Sequence, residues 1–288
     1  MKYRISRISG SCIPIGYYSE AQIALAGAHA PAHNRASIVE TYTPGHSENV
    51  SDFMARRTLA THGAFFVPHL RPGLSLLDCG CGPASITLGI AARLDPGEVV
   101  GIDFAPDQIA HARQAAAREG RRNIEFETAN VYSLPFESGR FERVFSHALL
   151  EHLADPQRAL REFYRVLAPG GVIGVCSPDW GGFLLSPPSA RLSRAVDAYM
   201  ALQSGNGGDV RAGRNQGLHL AAAGFEAIEL SARYECYDSR QLITEYLARR
   251  LEEAGDRASA SALRDWSGEE PGMFAQAWVS AVARKPRV

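Results

Sequence analysis

The chain has 288 residues, 45% hydrophobic and 21% charged, with 30 lysines and arginines against 31 aspartates and glutamates. That composition is ordinary for a globular protein, and the length suits one large domain or a domain with a cap. A formal net charge of −1 gives no field to draw the protein to nucleic acid or to an anionic membrane. No stretch reaches the roughly 20 apolar residues that a membrane span needs. The cysteines Cys12, Cys79, Cys81, Cys176 and Cys236 are scattered and odd in number. Their spacing fits neither a disulfide framework nor zinc-ligand pairs, so they read as small buried fillers in a reducing compartment. Lys2, Arg4 and Arg7 precede Ala28-His29-Ala30 in the manner of a secretory leader, but Pro14, Gly16 and Glu20 break its apolar core. A cytoplasmic protein is expected.

Residues 1–31 show no period and read as an arm on a partner subunit of a homodimer, a partial lid, or a poorly ordered end. Ser47 is a candidate N-cap for a helix from Glu48 to Phe66, with Val50, Phe53, Met54 and Leu59 on its apolar side. From Leu74 strand and helix alternate, the mark of a parallel sheet covered on both faces. The strands are expected at Leu74–Asp78, Glu98–Asp103, Ile124–Ala129, Phe141–Ser146 and Val172–Ser177. Between them lie helices from about Ala84 to Arg93 and from Pro106 to Gly120, the second with proline at a first-turn position. Another follows Asp155-Pro156, with Leu160, Phe163, Tyr164 and Leu167 at i, i+3, i+4 and i+7, and stops at Pro169-Gly170-Gly171.

Beyond Ser177 an insertion begins at Pro178 and holds a helix near Ala190 to Gln203, a Gly/Asn-rich piece from Ser204 to Gly208, and Arg211 and Arg214. The two arginines either meet an acidic substrate group or form a solvated face. A helix from Asp209 to Ala223, a sixth strand from Phe225 to Leu230, a helix from Ser239 to Ala254 and a last strand from Phe274 to Ala283 complete the chain. Loops at the carboxyl ends of strands are where such sheets bind ligands. The segment at about 178–222 is therefore expected to be a substrate lid. Trp180 and Phe183 are its candidate substrate-binding residues, with lid packing as the other reading.

The chemistry concentrates where the first strand ends, at Asp78-Cys79-Gly80-Cys81-Gly82-Pro83-Ala84. Gly80 and Gly82 allow a positive φ and a close approach of ligand to backbone, and the helix beyond presents its free N–H groups. Asp103, at the tip of the next strand, is placed to hold ribose hydroxyls. A dinucleotide fingerprint reads G-x-G-x-x-G, but the third glycine position here is Ser85. Asp78 is an anion where a pyrophosphate would need neutral or positive surroundings. The pair of acids suits a nucleoside that carries a cation.

The pattern D-x-G-x-G-x-A followed by Gly101-Ile102-Asp103 resembles the first motif and next acidic loop of class I S-adenosylmethionine-dependent methyltransferases. Leu150-Glu151-His152-Leu153, before Asp155-Pro156, resembles the fourth motif of the ubiquinone/menaquinone-type members. Tyr42-x-x-Gly45-His46-Ser47 resembles a segment that closes over the cofactor in small-molecule members. The likeness runs from Tyr42 to Ser177, about half the chain.

The resemblance implies a Rossmann-like, doubly wound α/β fold. Its seven-stranded sheet would be mostly parallel, with the last strand antiparallel beside the sixth. Residues 1–70 would form an arm and helical cap, and 71–288 the cofactor-binding domain. It implies that Asp78 takes the amino group of the methionine moiety, with the backbone at Gly80 and Gly82 close by. Asp103 would hold the ribose, Phe104 cover the adenine face, and Gln108 contact the cofactor. Asn130 and Val131 would address the adenine edge, Asn130 standing where the family usually has an acid. Tyr42 and His46 either touch the cofactor or cap and pack the helix. His147, after the fourth strand, either accepts a proton from the substrate or hydrogen-bonds the methionine moiety, and His152 is a candidate substrate contact.

The activity implied is methyl transfer to an O, N or C atom of a small metabolite, natural-product or quinone-like, without a metal and without nucleic acid. Ser177-Pro178-Asp179-Trp180 is similar to the Asn/Asp-Pro-Pro-Tyr signature of amine methyltransferases, but follows the fifth strand rather than the fourth and lacks the second proline. Cyclisation or decarboxylation using the cofactor's charge, a non-catalytic cofactor-sensing subunit, and an NAD(P) oxidoreductase are the alternatives.

Overall fold

A computed structural model describes residues 42–43, 54, 56–237, 240–268 and 272–287. The expected arm over 1–31, His46, Ser47 and most of the helix expected from Glu48 lie outside the described residues. The described end of that helix departs from expectation. Residues 56–63 are turns, in which Thr58 and Thr61 hydrogen-bond each other through hydroxyls 2.9 Å apart, and Ala64–His69 is a 3-10 helix containing Pro68. Hydroxyls that bond the local backbone compete with helix.

The strands are β1 (Leu76–Cys79), β2 (Val99–Asp103), β3 (Ile124–Thr128), β4 (Phe141–His147), β5 (Leu167–Ser186), β6 (Glu226–Cys236) and β7 (Met273–Arg284). They form one sheet in the order β3-β2-β1-β4-β5-β7-β6. The first five pair in parallel, and β7 lies antiparallel between β5 and β6. The helices are α1 (Thr87–Leu94), α2 (Pro106–Arg118), α3 (Pro156–Val166), α4 (Ala190–Gly205), α5 (Ala212–Ala222), α6 (Arg240–Glu253) and α7 (Arg257–Ser267).

Successive side chains of a strand face opposite ways, and in β1 both faces are covered. Leu77 packs with Val100, Val144 and Ile173 beneath Leu160 and Phe163 of α3 and Leu220 of α5. Its neighbour Leu76 packs with Val99, Phe145 and Val172 beneath Ile90 and Leu94 of α1 and Phe66 of the 3-10 helix. Strands buried on both faces read as continuous apolar runs rather than alternations, which is why they stand out in the sequence.

β5 does not stop at Ser177. It continues through Pro178 to Ser186, paired with β7 from Val172↔Arg284 to Ser186↔Met273. β4 has ended at His147, so among the described residues the opposite side of β5 pairs with no strand there, and a residue without N–H is tolerated at such an edge. Gly181 and Gly182 fall in the register shift between Asp179 and Leu184. β6 likewise runs past Leu230 to Cys236. On these long strands a second core forms, where Trp180 and Phe274 meet Tyr199 of α4, Ile243 and Leu247 of α6, and Leu263 and Trp266 of α7. Helix α7, capped by Asp256 accepting from Ser259 N, has no counterpart among the expected elements.

Cys79, Cys81 and Cys176 are buried, as fillers should be, whereas Cys236 is exposed. No described helix is long and apolar enough to cross a membrane.

Candidate active site

The turn after β1 has the geometry that its glycines permit. Gly80 and Gly82 have φ of 75° and 52°, and the Gly80 and Cys81 amides donate to Ile102 O at 2.8 and 2.9 Å, closing the turn onto β2. Among the described residues, a Cβ on Gly82 would meet no atom nearer than Gln108 Oε1 at 4.0 Å. Ala84, a residue with a Cβ, also has a positive φ of 67°, and helix begins only at Thr87.

Asp78 is buried and accepts a hydrogen bond from Thr87 Oγ1 at 2.7 Å. Burial pushes its carboxyl up to about 7, against the Thr87 bond and with a small added push from Asp103. Asp103 accepts from Gly82 N on Oδ2 at 3.0 Å and from Ala105 N on Oδ1 at 2.9 Å. Phe104 is 76% exposed and Gln108 is buried in the first turn of α2. Asn130 uses its amide oxygen to accept from Tyr132 N at 2.9 Å, and Val131 is half-buried beside it.

Next to this crevice, a small cleft, partly open to solvent, lies between the ends of β4, β5 and β7 and the helices α4 and α6. Tyr42, Trp180, Tyr199, Tyr237, Tyr246 and Trp278 wall it, and Arg57, Glu151, His152, Gln203 and Gln276 are its polar groups. Ala148, at the first step beyond β4, lines it with φ of 57°. Tyr42 connects the two regions. Its hydroxyl is held well above the usual tyrosine range by burial, then by the charges of Tyr246 and of Asp103 in the crevice, and also by Glu151 in the cleft.

Of the predicted residues, Tyr42, His152 and Trp180 come together in the cleft, the Tyr42 ring edge-on to His152 at 4.8 Å. Burial and then the charge of Arg57 push His152 down to about 3, so it is neutral. His147 is not on the cleft wall. It stacks on Trp278 at 4.9 Å and meets His62 edge-on at 5.3 Å. Burial, then Arg57, holds its imidazole well below the usual histidine range, and neither ring nitrogen has a hydrogen bond among the described residues. Phe183 stacks on Phe274 at 6.4 Å, outside the wall. Arg214 uses its Nε and Nη2 to clasp the two oxygens of Asp179 at 2.6 Å each.

Glu151 is a site residue that the sequence does not single out. Its carboxyl is buried on the cleft wall, accepts from Ser177 Oγ at 2.9 Å, and is pushed by burial up to about 7. The only signal is an acid inside an otherwise apolar Leu-Glu-His-Leu segment. Among the described residues no cluster of histidine, cysteine, aspartate and glutamate is placed to hold a metal ion.

A sheet with β7 inserted antiparallel, a glycine turn after β1 and an acid closing β2 define a class of nucleoside-binding transferases. Residues 77–175 match the family model described as a methyltransferase domain. The demethylmenaquinone methyltransferase of Thermus thermophilus is 35% identical over 173 residues, covering 56% of this chain and 76% of that protein. The chain belongs to the S-adenosylmethionine-dependent methyltransferase family.

Among solved structures, a putative methyltransferase from Bacillus halodurans aligns with a TM-score of 0.59 at 19% identity, over 78% of this chain and 97% of that one. The [4+2]-cyclase SpnF aligns at 0.50 and 24% identity, over 82% and 80%. The chain spans 50%, 50% and 41% of the length of three other curated relatives, an uncharacterised methyltransferase of Schizosaccharomyces pombe, a probable methyltransferase of Aspergillus luteorubrus and the demethylmenaquinone methyltransferase of Lactococcus lactis.

The family's cofactor fits the residues present. A buried acid that burial pushes up to about 7 suits a cationic group, an aspartate ends β2 beside the glycine turn, and an exposed aromatic ring follows it.

Proposed function

We propose that this protein methylates an O, N or C atom of a small, largely planar metabolite, natural-product or quinone-like, at the junction of crevice and cleft. One observation carries the reading. Half-buried Tyr42 lies on the cleft wall within electrostatic reach of Asp103, so a nucleoside on Asp103 and a molecule in the cleft would be neighbours. Buried polar atoms of the wall, Gln203 Oε1, Gln276 Nε2, Trp278 Nε1 and His152 Nδ1, have no hydrogen bond among the described residues. A polar ligand would satisfy them.

Asp78 holds the cofactor's ammonium and Asp103 its ribose hydroxyls, with the backbone at Gly80 and Gly82 against the ligand. Phe104 covers the adenine, Asn130 and Val131 meet its edge, and Gln108 closes the floor. His147, kept neutral, offers a ring nitrogen to the methionine moiety. Bound there, S-adenosylmethionine supplies a methyl group already activated on a sulfonium. The chain's task is alignment and exclusion of water, and alignment alone can be worth about 7–11 kcal/mol. Residues 1–70 act as arm and cap, and α4, α6 and α7 as the lid that keeps the acceptor dry. The net charge of −1 supports small molecules rather than nucleic acid as substrates, the free buried cysteines support a reducing, cytoplasmic compartment, and the arm is available to a second subunit.

The test uses cofactor with a deuterated methyl and a set of hydroquinones, phenols and amines, followed by mass spectrometry. S-adenosylhomocysteine in equal amount to a labelled product is expected. Substrate conversion with the cofactor left intact would overturn the reading.

A further inference from the structure

Glu151 is fixed from three sides. Its backbone oxygen accepts from Asp209 N at 2.9 Å and from Gln203 Nε2 at 3.1 Å, and its carboxyl Oε2 accepts from Ser177 Oγ of β5 at 2.9 Å. The other oxygen, Oε1, stands 3.7 Å from His152 Nε2, beyond hydrogen-bond reach. The Glu151 backbone amide also bonds the carboxyl, which only partly offsets the cost of burying an acid. Yet its place is on the wall of the cleft, close beyond strained Ala148.

Strain and buried acids of this kind gather where chemistry is done. The charged groups around it are Arg57 and Asp209, which act in opposite directions. His152 beside it is neutral, and the phenol hydroxyls of Tyr199 on α4 and Tyr246 on α6 feel its charge.

The rest of the wall selects the acceptor. Its six aromatic side chains favour a flat, unsaturated molecule. Arg57 lines the same space, and its charge reaches Glu151, His147 and His152 alike. That field disfavours a cationic amine and favours a group that gains negative charge as it reacts.

We infer that Glu151 is the general base of this enzyme, taking the proton of a phenolic or enolic hydroxyl held in the aromatic cleft as that oxygen is methylated. The O–H bond breaks and its proton goes to a Glu151 oxygen. An electron pair of the acceptor oxygen forms the new bond to the methyl carbon, and the pair of the old carbon–sulfur bond stays on sulfur. Glu151 afterwards returns the proton to solvent. The inference rests on the cleft being the acceptor site.

The test needs no cofactor. Binding of 2-naphthol to the full chain is followed by fluorescence from acid to alkaline pH. An ionised carboxylate accepts the naphthol hydroxyl more strongly than a protonated one. Affinity of the unaltered protein is therefore expected to rise about tenfold as pH passes upward through the Glu151 titration, and Glu151→Gln is expected to bind with no such rise. A rise retained in Glu151→Gln, or failure of 2-naphthol to bind the unaltered protein, would overturn the assignment.

Infrared spectra of the unaltered protein give a second measurement free of any variant. A protonated-carboxyl band that shifts when 2-naphthol binds supports the assignment, and an unmoved band overturns it. Calorimetry with S-adenosylhomocysteine separates the two readings. Unchanged affinity in Glu151→Gln keeps Glu151 with the acceptor, whereas lost affinity moves it to the cofactor site and overturns the inference. If the unaltered protein itself ignores S-adenosylhomocysteine, the proposed function fails, and the naphthol titration still decides the role of Glu151.

Discussion

The hydroxyl of Thr87, at the first residue of α1, donates to Oδ2 of buried Asp78 at 2.7 Å. It opposes the burial that pushes this carboxyl up to about 7. A cationic ligand binds the ionised form, so below about pH 7 binding must displace a proton. Affinity for S-adenosylhomocysteine is expected to fall as pH drops through that value, approaching about tenfold per pH unit on the acid side. Asp78→Asn should flatten the dependence and weaken binding at alkaline pH, and Thr87→Val should move it to higher pH. Calorimetry across the range checks all three, and a flat profile in the unaltered protein would contradict the role given to Asp78.

Phe104 separates binding from stability. Its ring is 76% exposed, so Phe104→Ala should leave the melting temperature where it is. Stacking of an aromatic ring on a base is worth about 1–3 kcal/mol, and a weakening of that size in S-adenosylhomocysteine affinity is expected. Equal losses in stability and binding would show that the ring packs instead on the protein.

Gly82 carries the opposite signature. Its φ is 52°, and among the described residues a Cβ there would meet no atom nearer than Gln108 Oε1 at 4.0 Å. Gly82→Ala should therefore cost only the left-handed backbone, about 1–2 kcal/mol. Denaturant unfolding should report that loss. Binding should fall further, because the methyl group would occupy the space left for the ligand.

Arg214 and Asp179 tie α5 to β5 beside the cleft residues Pro178 and Trp180. Asp179 is nearly buried while Arg214 is half exposed, so the pair is partly screened. Arg214→Ala is expected to cost about 1–2 kcal/mol of stability and to leave the pH dependence of 2-naphthol binding unchanged. A change in that dependence would return Arg214 to the acceptor site.

The parallel sheet and cofactor crevice are legible in the sequence because their signals are local. Leu76 and Leu77 are buried on opposite faces, Gly80 and Gly82 need unusual backbone, and Asp78 and Asp103 stand at or next to the ends of adjacent strands. The cleft is not legible, because it is assembled from distant pieces. Tyr42, Glu151, Tyr199, Tyr246 and Trp278 come from five separate segments, and an apolar helix face reads alike whether it meets a core or a ligand. Pro178 looks like the end of β5, since the sequence does not reveal that one side of the ladder is already vacant. Glu151 belongs to a recognisable motif, but only its burial beside Ser177 distinguishes it from a surface acid.

The central claim is that Asp103, already holding Gly82 N and Ala105 N, also grips the ribose of the family's cofactor. Calorimetric titration of Asp103→Ala with S-adenosylhomocysteine, at a temperature where melting curves show the variant folded, tests it most directly. Two hydrogen bonds to a carboxylate are lost, and a weakening of about a hundredfold or more is predicted. Affinity equal to that of the unaltered protein would contradict the account.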